Sequence, residues 1–134
     1  MTSRRSIAEV LACARAKLHR LTPYAAHAAQ QSGAVLVDIR PQHDREADGL
    51  LPGGFVVERN VLEWRFDPAS DARLGLASYD LGVIVVCNEG YTSSLAAAAL
   101  QDLGVWRATD IVGGYRAWRS AGLPTLAGAA HVGD

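Results

Sequence analysis

VIVVCNEGYTSSLAAAAL, residues 83–100, is the stretch on which the fold turns. Val83–Val86 is a short, unbroken run of β-branched apolar residues. Such runs form strands covered on both faces, whereas a half-exposed strand alternates apolar with polar. SSLAAAALQDL, from Ser93 to Leu103, follows as a helix that Gly104 closes. Between them stand one thiol, Cys87, and a polar turn containing Gly90.

The flanking sequence repeats this pattern. AVLVDI (34–39) reads as a second covered strand, FVVE (55–58) as a weaker one and TDIV (109–112) as a further one. Ile7, Val10, Leu11, Ala14 and Leu18 recur at helical spacing and predict an amphipathic helix. Thr22-Pro23 is an N-cap with proline at the first helical position, opening PYAAHAAQQ, which Gly33 ends. Asn60 and Glu63 have the spacing of a capping box for a short helix, VLEWRF, stopped by Asp67-Pro68. YRAWRSA (115–121) predicts the last helix. Alternating helices and covered strands predict an α/β fold with a central parallel sheet. Ligands of such sheets bind beyond the carboxyl ends of the strands. Residues 40–53, 58–66, 88–93 and Gly113-Gly114 belong on that rim, and Cys87 sits on it.

Composition excludes several functions. With 134 residues, 20% charged and 49% hydrophobic, the chain suits one globular domain. A net charge of −1 without a basic block gives nucleic-acid binding no electrostatic support. No apolar run is long enough for a membrane span, and the basic N-terminus lacks the apolar core of a signal peptide. Cys13 and Cys87 form no CxxC, and His19, His27, His43 and His131 show no metal-ligand spacing. The expectation is a reduced, cytoplasmic protein without metal or cofactor.

Two features after Cys87 would stabilise an anionic sulfur: the positive end of the following helix, and a turn in which Gly90 lets backbone N–H groups converge. A cysteine phosphatase needs, about six positions after its nucleophile, an arginine that forks onto phosphate. Here that position is Ser93, and the loop carries no arginine or lysine. A thiol that accepts and passes on sulfur needs no such fork.

LVDIR (36–40), GLLPGG (49–54), CNEGYTSS (87–94) and GGYRAWRSAGLP (113–124) occur in an order that resembles the rhodanese-like family of single-domain sulfurtransferases. The resemblance spans roughly residues 33–125. It implies a three-layer α/β/α fold. Residues 1–32 are expected, from their apolar stripes, as a helical extension packed on the domain, and 126–134 as a flexible terminal tail. It also implies that Cys87 is the sulfur acceptor, forming a persulfide. Asn88, Glu89, Gly90, Tyr91, Thr92 and Ser93 would then hold the terminal sulfur through backbone donors. Asp38 and Arg40 match the family's Asp-x-Arg and would brace the rim. Gly49, Pro52 and Gly53 match a turn, with Leu50 where histidine is common, and Trp118 reads as core. The expected partners are a small-molecule sulfur donor and a thiol acceptor, with a protein acceptor also compatible, and neither nucleic acid nor membrane.

The departure is inside the loop, where relatives that handle thiosulfate well often carry a basic residue and this chain has Glu89. An inward carboxylate about 4 Å from a bound anion would repel it by about 4 kcal/mol at an effective dielectric near 20, but by only about 1 kcal/mol in water. Arg40, Arg45, Arg59 and Arg65 are rim residues that would compensate if any reached the loop, and weak thiosulfate turnover is expected otherwise. His43 as a base for Cys87 and Cys13 as a sulfur relay are subordinate readings. A non-catalytic binding or regulatory module is the alternative function.

Overall fold

The computed structural model describes residues 3–128. Helix α1 (Ile7–Ala16) and helix α2 (Pro23–Gln31) precede strand β1 (Val35–Asp38) and helix α3 (Gln42–Asp48). Strand β2 (Phe55–Val56) leads through a 3-10 turn (Arg59–Val61) into helix α4 (Leu62–Phe66). Then come strand β3 (Val83–Val86), helix α5 (Thr92–Asp102), strand β4 (Thr109–Asp110) and helix α6 (Gly114–Ser120). The four strands form one parallel sheet in the order β2-β1-β3-β4.

β3 explains the fold. Val83 and Val85 face one side, with Phe66, Leu62, Ala96, Ala97 and Leu100 of α4 and α5. Ile84 and Val86 face the other, with Ala26, Tyr115 and Trp118 of α2 and α6. All four strand residues are buried, so the run is apolar throughout. Cys87, one step further, continues the Val83/Val85 side.

Local signals decide where helices begin. The Thr22 hydroxyl accepts the Ala25 N–H, and Pro23 opens α2. Ser6 and Glu9 form a reciprocal capping box at α1, and its serine amide bond holds the Glu9 carboxyl below the usual carboxylate range. The expected box at Asn60 does not form. Asn60 lies inside the 3-10 turn, and Glu63 accepts from Arg59 at 2.8 Å instead.

Four further differences bear on the site. QHDREAD (42–48) is helical although it offers no apolar stripe. β4 is shorter than TDIV, because its register with β3 covers only Thr109 and Asp110, and Leu21 pairs with the chain at Ile111: its N–H donates to Asp110 O at 3.0 Å, and Val112 N–H donates back to Leu21 O at 2.9 Å. The connection between α1 and α2 thus covers the sheet edge. α2 lies on the sheet, whereas α1 packs along α5, with Ala14 buried and Ile7 70% exposed. Leu126 exchanges two backbone hydrogen bonds with Leu50, at 2.8 and 2.9 Å. Residues 129–134, with most of the expected tail and His131, lie outside the described residues.

Candidate active site

Cys87 follows the last residue of β3 and is buried at 6% exposure. The Gly90 N–H donates to its sulfur at 3.2 Å and the Ser93 N–H at 3.3 Å. Gly90 has φ +85°, and the residue before α5, Tyr91, makes no side-chain cap. In the first turn of α5 the Ser94 N–H donates to Tyr91 O at 3.1 Å, while the Ser93 N–H is left to meet the sulfur.

The loop carbonyls are turned away and held from outside. Cys87 O accepts the Tyr115 N–H at 2.8 Å, and Asn88 O accepts the Arg116 N–H at 3.1 Å. Gly114 makes this approach possible: with φ +63°, a Cβ there would stand 2.5 Å from Cys87 O and 2.7 Å from Gly90 N. The Gly113-Gly114 pair is thus the surface on which the loop rests. Gly90 O accepts from Arg15 Nη2 at 2.7 Å and from Arg20 Nη2 at 3.0 Å.

Beneath the loop lies a buried carboxylate, Asp110. One of its oxygens accepts both the Ser93 and the Ser94 hydroxyls, each at 2.7 Å. Arg20 meets the carboxylate with two nitrogens, at 2.8 and 3.2 Å. Arg15 also donates to Ser94 Oγ at 3.1 Å and stands 5.5 Å above the Tyr91 ring. Arg15, Arg20, Ser94 and Asp110 were not among the residues expected from sequence.

The loop residues that were expected do come together. Gly90 and Ser93 direct N–H groups at the sulfur, Tyr91 and Thr92 are exposed at the rim, and Asn88 Oδ1 is buried without a hydrogen-bond partner. Glu89 is 57% exposed and pairs with Arg116 at 3.4 Å, so its carboxylate is matched and solvated.

The rim arginines are engaged elsewhere. Arg40 and Asp38 are almost fully buried, not a surface pair: Arg40 Nη2 meets Asp38 Oδ2 at 2.7 Å and Gly49 O at 2.8 Å. The Arg40 guanidinium lies 3.8 Å from the Tyr115 ring centre, which serves as neighbour to its otherwise unpartnered Nη1. Arg45 donates to Arg40 O at 2.6 Å. Arg59 pairs with Glu63, and Arg65 donates to Ala72 O. Arg65 therefore braces the chain after α4 and not the Cys87 loop. His43 is exposed on α3. Cys13 is exposed, 3.4 Å from Arg5, and shares a groove with Ala98 and Ala99, towards the end of α5 remote from the loop. Among the described residues, no three His, Cys, Asp or Glu side chains gather as a metal site, and no helix is long and apolar enough to cross a membrane.

The chain is thus an α/β domain with a parallel sheet and one cysteine held by two loop amides at the end of a central strand. The chain belongs to the rhodanese-like domain family, whose model matches residues 22–121. It is 35% identical over 100 residues to the thiosulfate sulfurtransferase GlpE of Stutzerimonas stutzeri, covering 75% of this chain and 84% of that one. A Pseudomonas fluorescens GlpE is 32% identical over 101 residues, with the same 75% and 84% coverage. A Rhodopseudomonas palustris structure, described as a protein of unknown function and possible tyrosine phosphatase, superposes with a TM-score of 0.83 at 36% identity. That superposition covers 93% of this chain and 97% of the other. The polysulfide-sulfur transferase of Wolinella succinogenes shares the fold, with a TM-score of 0.69 at 22% identity over 91% of this chain and 88% of its own.

Proposed function

We propose that the chain is a sulfurtransferase that carries sulfane sulfur on Cys87 as a persulfide. The observation that carries this reading is the convergence of the Gly90 and Ser93 N–H groups on the Cys87 sulfur. The names of its GlpE relatives support it. In the first half-reaction the Cys87 thiolate attacks the outer sulfur of a donor such as thiosulfate. A new S–S bond forms, the donor's S–S bond breaks, and sulfite leaves with the electron pair. In the second, an acceptor thiolate, free or on a protein, attacks the outer sulfur of the persulfide. The pair of the broken bond returns to Cys87, and no external oxidant or reductant is consumed. A persulfide donor reacts in the same way and releases its thiolate; a mercaptopyruvate-like donor breaks its C–S bond instead, and pyruvate leaves as the enolate with the electron pair and then takes up a proton. The amides between Asn88 and Ser93 stabilise the terminal sulfur, which grows outward from a buried Sγ. A free thiol of this kind suits a reducing cytoplasm.

Phosphatase chemistry, named as possible for the Rhodopseudomonas protein, does not fit this loop. Phosphate would need a forked guanidinium where this loop has Ser93, whose hydroxyl is committed to Asp110.

The test is the intact mass of the purified chain after thiosulfate, 3-mercaptopyruvate or a low-molecular-weight persulfide, with Cys87→Ser alongside. A gain of one sulfur that cyanide or thiol removes, absent in the variant, is expected. No gain from any donor in a folded, reduced sample would favour a non-catalytic module instead.

A further inference from the structure

The loop carries no basic side chain of its own, yet two guanidiniums reach it from the N-terminal segment. Arg15 comes from α1 and Arg20 from the connection between α1 and α2, and both end on the same carbonyl, Gly90 O, at 2.7 and 3.0 Å. Both are held by other contacts as well. Leu21 pairs with the chain beside β4, which seats Arg20 against Asp110 at 2.8 Å. Arg15 is anchored on Ser94 Oγ and stacked on Tyr91.

We propose that Arg15 and Arg20 are positioning residues of the Cys87 loop, and that Arg15 supplies from behind the loop the positive charge an anionic sulfur donor requires. The Gly90–Tyr91 peptide bond is trans, so the carbonyl of Gly90 and the N–H of Tyr91 point in opposite directions. Pinning that carbonyl outward on two guanidiniums turns the Tyr91 N–H towards the side on which the Gly90 and Ser93 amides meet the sulfur. The two arginines differ in how their charge is balanced. Arg20 is neutralised by the Asp110 carboxylate it grips. Among the described residues no carboxylate lies within ion-pair distance of Arg15, so its charge stays uncompensated next to the loop. The other cation at the loop, Arg116, is balanced by Glu89.

The inference rests on Cys87 being the reacting group. Its test reads the charge whether or not sulfur is transferred. In a Cys13→Ser background, Cys87 is alkylated at one pH by iodoacetate, an anion, and by iodoacetamide, its neutral counterpart. The ratio of the two rates reports the potential at the sulfur and cancels changes in thiol ionisation. Arg15→Gln should lower that ratio about threefold or more at low salt. Arg15→Lys keeps the charge and loses the fork, so it should preserve the ratio while slowing both reagents. An unchanged ratio in Arg15→Gln overturns the charge assignment. Unchanged rates in Arg15→Lys overturn the positioning role. If Arg15→Gln does not fold, a lowered ratio in Arg15→Lys overturns the proposal. A lowered ratio in Arg15→Gln, in a chain that accepts no sulfur, would uphold the charge assignment and defeat the sulfurtransferase reading.

Discussion

Ser93 and Asp110 are joined by a 2.7 Å hydrogen bond from hydroxyl to buried carboxylate, while the Ser93 amide donates to the Cys87 sulfur at 3.3 Å. One residue thus ties the reactive sulfur to the end of β4. The second serine bond and the Arg20 fork complete the coordination of that carboxylate. A buried charge is tolerated when it is paired and fully hydrogen-bonded.

Asp110→Ala should therefore be costly. It removes the partner of Arg20 and leaves two buried serine hydroxyls without an acceptor. Breaking a buried pair in this way costs about 3–5 kcal/mol. Urea unfolding measures the loss, and Cys87 alkylation should slow in parallel as the start of α5 loosens. A loss below about 1 kcal/mol would show that the loop does not depend on this carboxylate.

Gly114→Ala tests the other support. The new methyl would stand 2.5 Å from Cys87 O, against backbone that cannot rotate away, at a φ of +63° that side chains disfavour. Strain of this kind costs on the order of 1–3 kcal/mol. The loop should shift off α6, so sulfur loading of Cys87 should fall at least about tenfold, the equivalent of roughly 1.4 kcal/mol. Near-normal loading in a stable Gly114→Ala protein would mean that α6 does not set the loop.

What the sequence made legible were features with short-range causes. The β3 run is apolar because both faces are covered, Thr22-Pro23 starts a helix through its own cap, and Gly90 turns because it lacks a Cβ. α3 was missed because it has no apolar stripe, and none of its residues is buried. The brace around Asp110 was hidden for a different reason. Arg15 and Arg20 lie 75 and 70 positions from Gly90 in sequence, and no local pattern at either position points to so distant a partner. Position alone puts Arg45 and Arg65 near the strand ends but says nothing of the atoms they hold: Arg45 donates to Arg40 O and Arg65 to Ala72 O.

Glu89 shows the same limit. Had its carboxylate pointed at the sulfur, removing the charge would speed reaction with anionic donors. Instead it is solvated and paired with Arg116, both side chains more than half exposed. Exposed pairs of this sort are worth about 0–1 kcal/mol. Glu89→Gln should thus change thiosulfate turnover less than about twofold at physiological salt. A gain of about fivefold or more would mean that the carboxylate repels donors after all.

Tyr115 links the site to pH. Burial pushes its phenol above the ordinary tyrosine value, with the nearby Arg40 guanidinium partly opposing the shift. The folded chain therefore holds this proton more tightly than the unfolded chain. Once the pH passes about 10, the unfolded state ionises first and binds fewer protons, so stability falls as pH rises. Below that pH the contribution is fully present. Tyr115→Phe loses the hydroxyl's 2.7 Å bond to Asp48 O, which should cost about 1 kcal/mol at neutral pH. Because the variant has no phenol to ionise, the stability gap between it and the wild type should narrow from about pH 8 to about pH 11. Urea midpoints at the two pH values measure that gap. A constant gap would mean that Tyr115 ionises as readily in the folded chain as in the unfolded one.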